Sequence, residues 1–139
     1  MRAKKEGNLL VIRVDRGEEL VMSIEKACRE YGIKTGIVSG IGAVSSCAMG
    51  VFNVEEKKYY KNEFSGALEI TNLTGNVTTK DGQLYLHLHM TVGDDKGAAF
   101  GGHLNEAVVG VTAEVFVLTF AMEIEREMDP DIGINTMVL

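Results

Sequence analysis

The stretch from Tyr85 to Leu104, YLHLHMTVGDDKGAAFGGHL, constrains the fold of this chain more than any other part of it. Apolar residues occupy every second position from Leu84 to Met90, and such alternation predicts a half-buried β-strand. His87 and His89 occupy intervening positions, so both imidazoles leave the opposite face of that strand. A Gly-Asp-Asp-Lys-Gly turn follows, which lets the chain reverse and brings His103 back towards the pair. All three histidines of the protein are therefore expected on one hairpin.

Three imidazoles that converge from two adjacent strands predict a metal site. Three protein ligands with one open position are the pattern of catalytic zinc sites, in which the ion lowers the pKa of its bound water to about 7. Alternatively, the histidines only hydrogen-bond across a sheet face or an interface, and the pair His87 and His89 alone would favour that interpretation. The approach of His103 through Gly101 and Gly102 favours the metal, because residues without side chains let a strand bend and pass close to a site. We therefore predict a metal ion on the three histidines, in a pattern typical of open zinc sites.

Polar residues of the same region are candidates for supporting roles at this site. The candidate supporting groups are Tyr85, Asp94, Asp95, Glu106 and Glu114. Glu114 and Glu106 are also the candidates for a catalytic proton carrier. Glu114 lies in an otherwise apolar stretch, where a carboxylate requires a partner, and this favours a paired structural role for it over one as ligand or proton carrier.

Length and charge limit the classes of protein to which this chain can belong. Its 139 residues are expected to form one domain, residues 1–139, with a real hydrophobic core. The net charge of −6, with no Lys/Arg cluster beyond residues 2–5, does not support direct DNA binding. No long apolar run or charged leader supports a membrane location or export. Cys28 and Cys47 form no CxxC pair, so both are expected as core residues of a cytoplasmic protein.

One helix is predicted, within the sequence DRGEELVMSIEKACREYG. Asp15 is expected to cap its first turn, with Glu18 three residues later in the capping-box position. Gly32 is expected to end it. Its apolar stripe consists of residues at helical spacing: Leu20, Val21, Ile24, Ala27, Cys28 and Tyr31.

The rest of the chain is predicted to be mostly strand. Glycines between Lys34 and Asn53 indicate bulges or close backbones, while a phosphate-binding loop at Gly-Ile-Gly lacks the following helix that it requires. Lys80-Asp81-Gly82 predicts a hairpin turn. The segment from Val108 to Met122 is apolar on both faces, so a neighbouring subunit is expected to cover the second face. The other expectations are a solvated basic terminus (2–7), strands at 8–14 and 67–79, a charged connection or edge strand at 55–62, and a docked tail after Pro130.

Several of these motifs together resemble a known family. The run HLHMTVGDDKGAAFGGHL followed by VGVTAEVFV, with RGEEL before the helix and GIKTGIVSGIGAV after it, is similar to the prokaryotic PPC domain. This is the plants and prokaryotes conserved domain, also called DUF296 or the PD1-like DNA-binding family. The resemblance covers about residues 8–125. A more distant similarity, in fold and in the use of HxH plus a third histidine on zinc, links it to acetolactate decarboxylase.

The resemblance implies a fold, an assembly and a ligand set. The implied fold is α+β, a strongly bent antiparallel sheet of about six to eight strands with one helix packed on it, assembled as a homotrimer. The implied zinc ligands are His87, His89 and His103. The DNA-binding label of the family comes from plant members that carry AT-hooks, and the Arg-Gly-Arg core of an AT-hook does not occur here.

Two functions from different classes follow from these observations. The first is a metal site that binds or acts on a small molecule, as a lyase, a hydrolase or a ligand sensor. The second is an interaction module that binds DNA or a transcriptional regulator, with the metal structural or absent.

Overall fold

Alternating apolar residues form long strands over most of this chain. The computed structural model describes all 139 residues. Eight strands and one helix follow each other along the chain. They are β1 (Arg2–Glu6), β2 (Leu9–Asp15), α1 (Leu20–Glu30), β3 (Gly36–Asn53), β4 (Lys58–Lys80), β5 (Gln83–Gly93), β6 (Ala99–Thr119), β7 (Arg126–Asp129) and β8 (Ile134–Met137). The six-stranded sheet has the order β1-β2-β6-β3-β4-β5, and β7 pairs with β8 separately. The predicted α+β fold is confirmed.

The large sheet curls because β6 pairs with three different strands along its length. It pairs antiparallel with β5, β3 and β2. Since β5 also pairs with β4, the strands β3 to β6 close on themselves at one end of the molecule. Register shifts between Gly40 and Gly42 and between Val44 and Ser46 in β3 show bulges where the glycines predicted them. Gly-Ile-Gly is therefore part of a strand and not of a phosphate-binding loop.

The concave face of the sheet and the helix share one hydrophobic core. Helix α1 packs mainly on β6 and β2, and it buries the stripe from Leu20 to Cys28 as predicted, while Tyr31 is exposed. Cys28 and Cys47 are buried free thiols, which confirms their assignment to the core. On β5, Leu88 and Met90 are fully enclosed. The histidines on alternate positions therefore face away from the core.

The helix begins four residues later than predicted, after its N-cap residue Glu19. The Glu19 carboxylate accepts hydrogen bonds from the backbone N–H groups of Val21, at 3.1 Å, and Met22. The prediction that Asp15 caps the helix is wrong. Instead, Glu18 accepts a 2.9 Å hydrogen bond from the Asp15 backbone N–H and closes the turn that precedes the helix.

Two other predicted boundaries also move. The charged side chains of the basic N-terminal tract are exposed to solvent, as predicted, but its backbone forms β1 and pairs with β2 from Arg2 to Glu6. The charged segment 55–62 leads at Lys58 into β4, which continues to Lys80 and includes the strand predicted at 67–79. The predicted hairpin turn is confirmed, with Asp81 and Gly82 both at positive φ.

The tail after Pro130 is docked as predicted, through a hairpin that the sequence did not indicate. Strand β8 pairs with β7, and the backbone N–H of Val138 donates to the Glu125 carbonyl at 2.9 Å. The side chain of Leu139 extends into solvent. The hairpin β7–β8 lies against β4, where the Thr79 backbone N–H donates to the Ile124 carbonyl.

The convex face of the sheet is also rich in apolar side chains. Phe116 and Leu118 on β6 are exposed there, with Ile37 and Ile41 of β3 on the neighbouring strand. We call this set, together with Leu9 and Val11 of β2, the convex apolar face. No helix of this protein has the length and apolar character needed to span a bilayer.

Candidate metal centre

The three histidines meet where the sheet closes on itself. His89 of β5 lies directly opposite His103 of β6, and His87 lies two residues before His89 on the same face. One ring nitrogen from each histidine falls in a group whose members all lie within 4.8 Å of one another. The Nε2 atoms of His87 and His89 are 3.2 Å apart. The convergence predicted from the sequence is thus present.

This spacing fits a metal ion. Two nitrogens that bind one zinc ion at about 2.0–2.1 Å from two corners of a tetrahedron lie about 3.3–3.4 Å apart. The distance of 3.2 Å between the two Nε2 atoms is close to that value. Nitrogen donors without a thiolate or carboxylate suit zinc and other borderline divalent ions. The three histidines would hold such an ion and leave its fourth position open.

The surroundings keep the imidazoles of His87 and His103 in the neutral form that binds metals. Burial, followed by the neighbouring His103, Arg126 and His89, lowers the pKa of His87 to about 4. Burial and the neighbouring His89 also lower the pKa of His103. A depressed pKa means that no proton has to be displaced at neutral pH before a metal can bind.

His103 is positioned by a close approach of β6 to β3 and by a tyrosine. A Cβ atom on Gly102 would lie 2.8 Å from the Gly50 carbonyl oxygen, so only glycine allows this spacing without a shift. The Tyr59 hydroxyl donates to Asn105 Oδ1 at 2.7 Å and lies 3.2 Å from the His103 carbonyl oxygen. The predicted role of the Gly-Gly pair is therefore confirmed at Gly102.

A cavity of about 540 Å³ opens in front of the histidines. Its volume is in the range of small-molecule sites, which is about 300–1,000 Å³. Five of its twelve lining residues are apolar or aromatic, besides the three histidines, and no carboxylate lines it. These wall residues are Val51, Phe52, Tyr59, Tyr85 and Ile134.

The family model of the Plants and Prokaryotes Conserved (PCC) domain matches residues 1–121. The chain belongs to this family. The resemblance noted in its motifs is thereby confirmed.

Several solved structures are similar to this PCC domain. A metal-containing protein of Archaeoglobus fulgidus is 38% identical, with a TM-score of 0.90 over 100% of this chain and 99% of that one. A candidate DNA-binding protein of Bacteroides thetaiotaomicron is 36% identical, with a TM-score of 0.95 over 99% and 96% of the two chains. A Staphylococcus aureus protein of unknown function, similar to alpha-acetolactate decarboxylase, shares only the fold, at 15% identity and a TM-score of 0.55 over 90% of this chain and 56% of that one.

Curated relatives of this PCC domain are longer proteins. The bifunctional protein GlmU of Synechococcus sp. (strain JA-3-3Ab) is 30% identical over 121 residues, which are 86% of this chain. The aligned region spans 18% of that relative's length.

The predicted supporting residues occupy different places in the PCC domain. Tyr85 is in the cavity wall. Asp94 accepts backbone hydrogen bonds from Lys96 and Ala98 and so shapes the β5–β6 turn that also contains Asp95. Glu106 forms a 3.0 Å ion pair with Lys61 outside the cavity.

Glu114 is exposed on β6, eleven positions from His103, opposite Arg13 of β2 and Ile41 of β3. Neither Glu114 nor Glu106 lines the cavity. A catalytic role for either carboxylate stays a prediction.

The most important residue that sequence reasoning missed is Arg126 on β7. Its guanidinium is buried, and its Nη2 atom lies 3.5 Å from His87 Nδ1. It also lies over the Tyr85 ring, 4.9 Å from the ring centroid. Asn135 of β8 lines the cavity as well. No periodicity in the sequence indicates that these two residues lie at the site. Their position depends on the docking of a short hairpin onto a strand whose contacting residues lie about 50 residues earlier in the chain.

Proposed function

We propose that this PCC-domain protein holds one zinc ion on His87, His89 and His103 and binds a small molecule in the adjoining cavity. The convergence of three ring nitrogens within 4.8 Å at the mouth of that cavity carries the proposal. The 38% identity with a relative described as metal-containing supports it. If the site turns its ligand over, the reaction is that of a metal-dependent lyase or hydrolase.

The bound ion and the residues of the chain would have different roles in this site. A bound zinc ion supplies Lewis acidity at its open position. The depressed pKa values of His87 and His103 keep these ligands neutral. Phe52 and Ile134 restrict water around the ligand, while Tyr59 holds the backbone of His103 in place.

We also propose a homotrimer, with the site at a subunit interface, in the cytoplasm. The convex apolar face is too large a set of exposed apolar side chains for an isolated domain and is typical of an interface. Val51, in the cavity wall, is exposed as well, so a neighbouring subunit beside it would extend the cavity. The two free thiols suit a reducing compartment.

Metal analysis of protein purified without added metal tests the zinc site. We expect one zinc ion per chain by mass spectrometry, and at least a tenfold loss of zinc from a folded His87→Ala variant. Gln83→Ala, at the exposed start of the same strand, is the matched control and should keep the metal. A native protein without any bound metal, or a His87→Ala protein with a full complement of zinc, would refute the proposal.

A second candidate function is DNA binding, which the naming of the Bacteroides thetaiotaomicron relative favours. The specific observation in this chain is a groove along β1 and β2 that is flanked by Arg2, Lys4 and Arg13, with Glu6 as its acidic member. Binding of duplex DNA should then weaken steeply between 50 and 200 mM salt, by about tenfold or more if a few phosphates are contacted. No retention of DNA at 50 mM salt would eliminate this candidate.

A further inference from the structure

The hairpin β7–β8 brings a buried positive charge beneath the histidines, with the Tyr85 ring beside it but no anionic partner. Arg126 is only 4% exposed and forms no ion pair. Its hydrogen bonds go to the Thr78 hydroxyl at 2.9 Å, the Asn76 Oδ1 at 3.0 Å and the Asn135 carbonyl oxygen at 2.9 Å. All three acceptors are neutral, so they satisfy N–H groups without cancelling the charge.

A purely structural role does not account for this arrangement. Burying an unpaired cation is unfavourable, because the interior replaces water poorly around a charge. A neutral amide at position 126 has only two N–H groups and could not serve all three acceptors, but none of these acceptors requires a positive charge. Arg126 thus contributes something that its hydrogen bonds alone do not explain.

The position of the charge indicates what it acts on. The Nη2 atom lies 3.5 Å from His87 Nδ1, on the side of the ring opposite the Nε2 atom that faces His89. An ion on Nε2 would therefore lie within about 8 Å of the guanidinium, since zinc–nitrogen bonds are about 2.0–2.1 Å long. With a divalent ion on three neutral imidazoles, the site would carry two charged groups of the same sign. No carboxylate lines the cavity to balance them.

We propose that the ligand of this site is a small carboxylate with an apolar body, and that Arg126 selects it by its charge. This inference rests on the proposed metal site. Val51, Phe52 and Ile134 provide the apolar surface for the body of the ligand, and the open metal position takes the carboxylate. Arg126 acts through its field, because it does not line the cavity and three of its five N–H groups are already bonded within the protein.

Two further features narrow the class of ligand. The cavity has no lysine in its lining and no helix end, so it lacks the free donors that phosphate groups require. The buried Asn135 Oδ1 atom has no hydrogen-bond partner in the chain. A carboxylate that also carries a hydroxyl or amino donor would satisfy that acceptor.

The hairpin that supplies Arg126 and Asn135 lies beyond residue 121, where the match to the PCC family model ends. The ligand class of this chain is therefore set in part by a segment outside the matched domain.

The charge of Arg126 should have a measurable effect on ligand affinity. At about 8 Å, with an effective dielectric constant near 20, its attraction for an anion corresponds to a roughly ten- to thirtyfold higher affinity.

Calorimetric titration of the zinc-loaded full chain tests the inference with two probes of the same shape. Benzoate and benzamide differ mainly in charge, and we expect benzoate to bind at least tenfold more tightly. In Arg126→Gln, at equal zinc content, the affinity for benzoate should fall about tenfold while that for benzamide stays the same. Arg126→Lys should restore most of the preference, and Arg13→Gln, an exposed arginine on β2, should leave it unchanged.

Equal affinity of the native protein for benzoate and benzamide would overturn the inference. This comparison needs no variant, so it remains available if Arg126→Gln does not fold. Full retention of the benzoate preference in a folded, zinc-loaded Arg126→Gln would also overturn it. Tighter binding of inorganic phosphate than of benzoate would overturn the assigned ligand class. Absence of zinc from the native protein would instead refute the proposed function. A benzoate preference in that metal-free protein, lost in Arg126→Gln, would still support the role of the arginine.

Discussion

At the scale of single residues, the position of His87 depends on a missing side chain on the neighbouring strand. Gly75 of β4 lies opposite Leu88 of β5. A Cβ atom at position 75 would lie 2.0 Å from the His87 carbonyl oxygen and 2.9 Å from the Leu88 Cα atom. Both obstacles are backbone atoms, so the strand that carries the histidines would have to move.

We therefore expect Gly75→Ala to weaken zinc binding at least tenfold and to lower the free energy of unfolding by about 1–3 kcal/mol, the usual cost of overpacking. Competition with a chelator and urea denaturation measure the two effects. Gly93→Ala, on β5 itself, is the control, because the nearest atom to its added Cβ is a Thr71 methyl at 3.5 Å. Equal zinc affinity in the two variants would contradict this account of His87.

The histidines could be predicted from the sequence, whereas the residues behind them could not. Alternation places His87 and His89 on one face, and a single turn returns His103, so short-range geometry is sufficient. Arg126 and Asn135 reach the site only through the docking of β7–β8 onto β4. Their contacts depend on tertiary structure, which local sequence patterns do not predict.

At the scale of elements, the start of α1 shows how a tertiary contact decides between local alternatives. Glu19 accepts hydrogen bonds from the first turn of the helix and also, at 2.9 Å, from the backbone N–H of Ala107 on β6. The capping-box pattern at Asp15 and Glu18 lacks this link to the sheet. The sequence pattern predicted the existence of the helix but not its first residue, because the pattern covers the first turn alone.

Glu19→Ala should therefore lower the free energy of unfolding by about 1–2 kcal/mol, since it removes both a helix cap and a strand contact. Glu30→Ala is the control on the same helix, where the only ion pair, with Lys26, is exposed and 3.9 Å long. We expect a change below about 0.5 kcal/mol for the control. Urea denaturation that gave equal losses for both would show that Glu19 does not fix the helix start.

The two cysteines allow a test of how tightly the helix and sheet are packed. Burial, with a smaller contribution from Glu25, raises the pKa of Cys28 on α1 to about 12, and burial also raises the pKa of Cys47 on β3. Because only the thiolate form reacts and pH 8 lies below these raised values, both thiols should resist iodoacetamide in the native protein. Mass spectrometry should show two modifications per chain after denaturation at the same pH. Rapid alkylation of Cys28 in the native state would mean that α1 detaches readily from the sheet.

At the scale of the whole molecule, the strand pairings account for the buried core but leave the convex apolar face without a partner. Leu9 and Ile37 both lie opposite Leu118 on strands that flank β6, so the three apolar side chains are adjacent on this face. The alternation in the sequence predicted an apolar second face for the last long strand. A neighbouring subunit is the simplest occupant that this pattern predicts, although the same pattern also serves a second sheet or a helix.

In the proposed trimer, a neighbouring subunit covers the convex apolar face. The mass of the native protein in solution tests this assembly. Sedimentation of the native protein should give about 45 kDa, three times the 15.1 kDa chain. Phe116→Glu places a charge at a position of the convex apolar face that is 45% exposed in the single chain, and should shift the mass to that of one chain. Met22→Glu, on the exposed side of α1 at 68% exposure, should remain a trimer.

The same variant separates assembly from metal binding. The three histidines of the proposed zinc site all come from one chain, on strands β5 and β6, so a folded monomeric Phe116→Glu should still hold one zinc ion. Its affinity for benzoate should fall, because the neighbouring subunit beside Val51 would no longer enclose the cavity. Unchanged benzoate affinity in the monomer would show that a single chain forms the complete site, and a native protein of 15.1 kDa would refute the trimer itself.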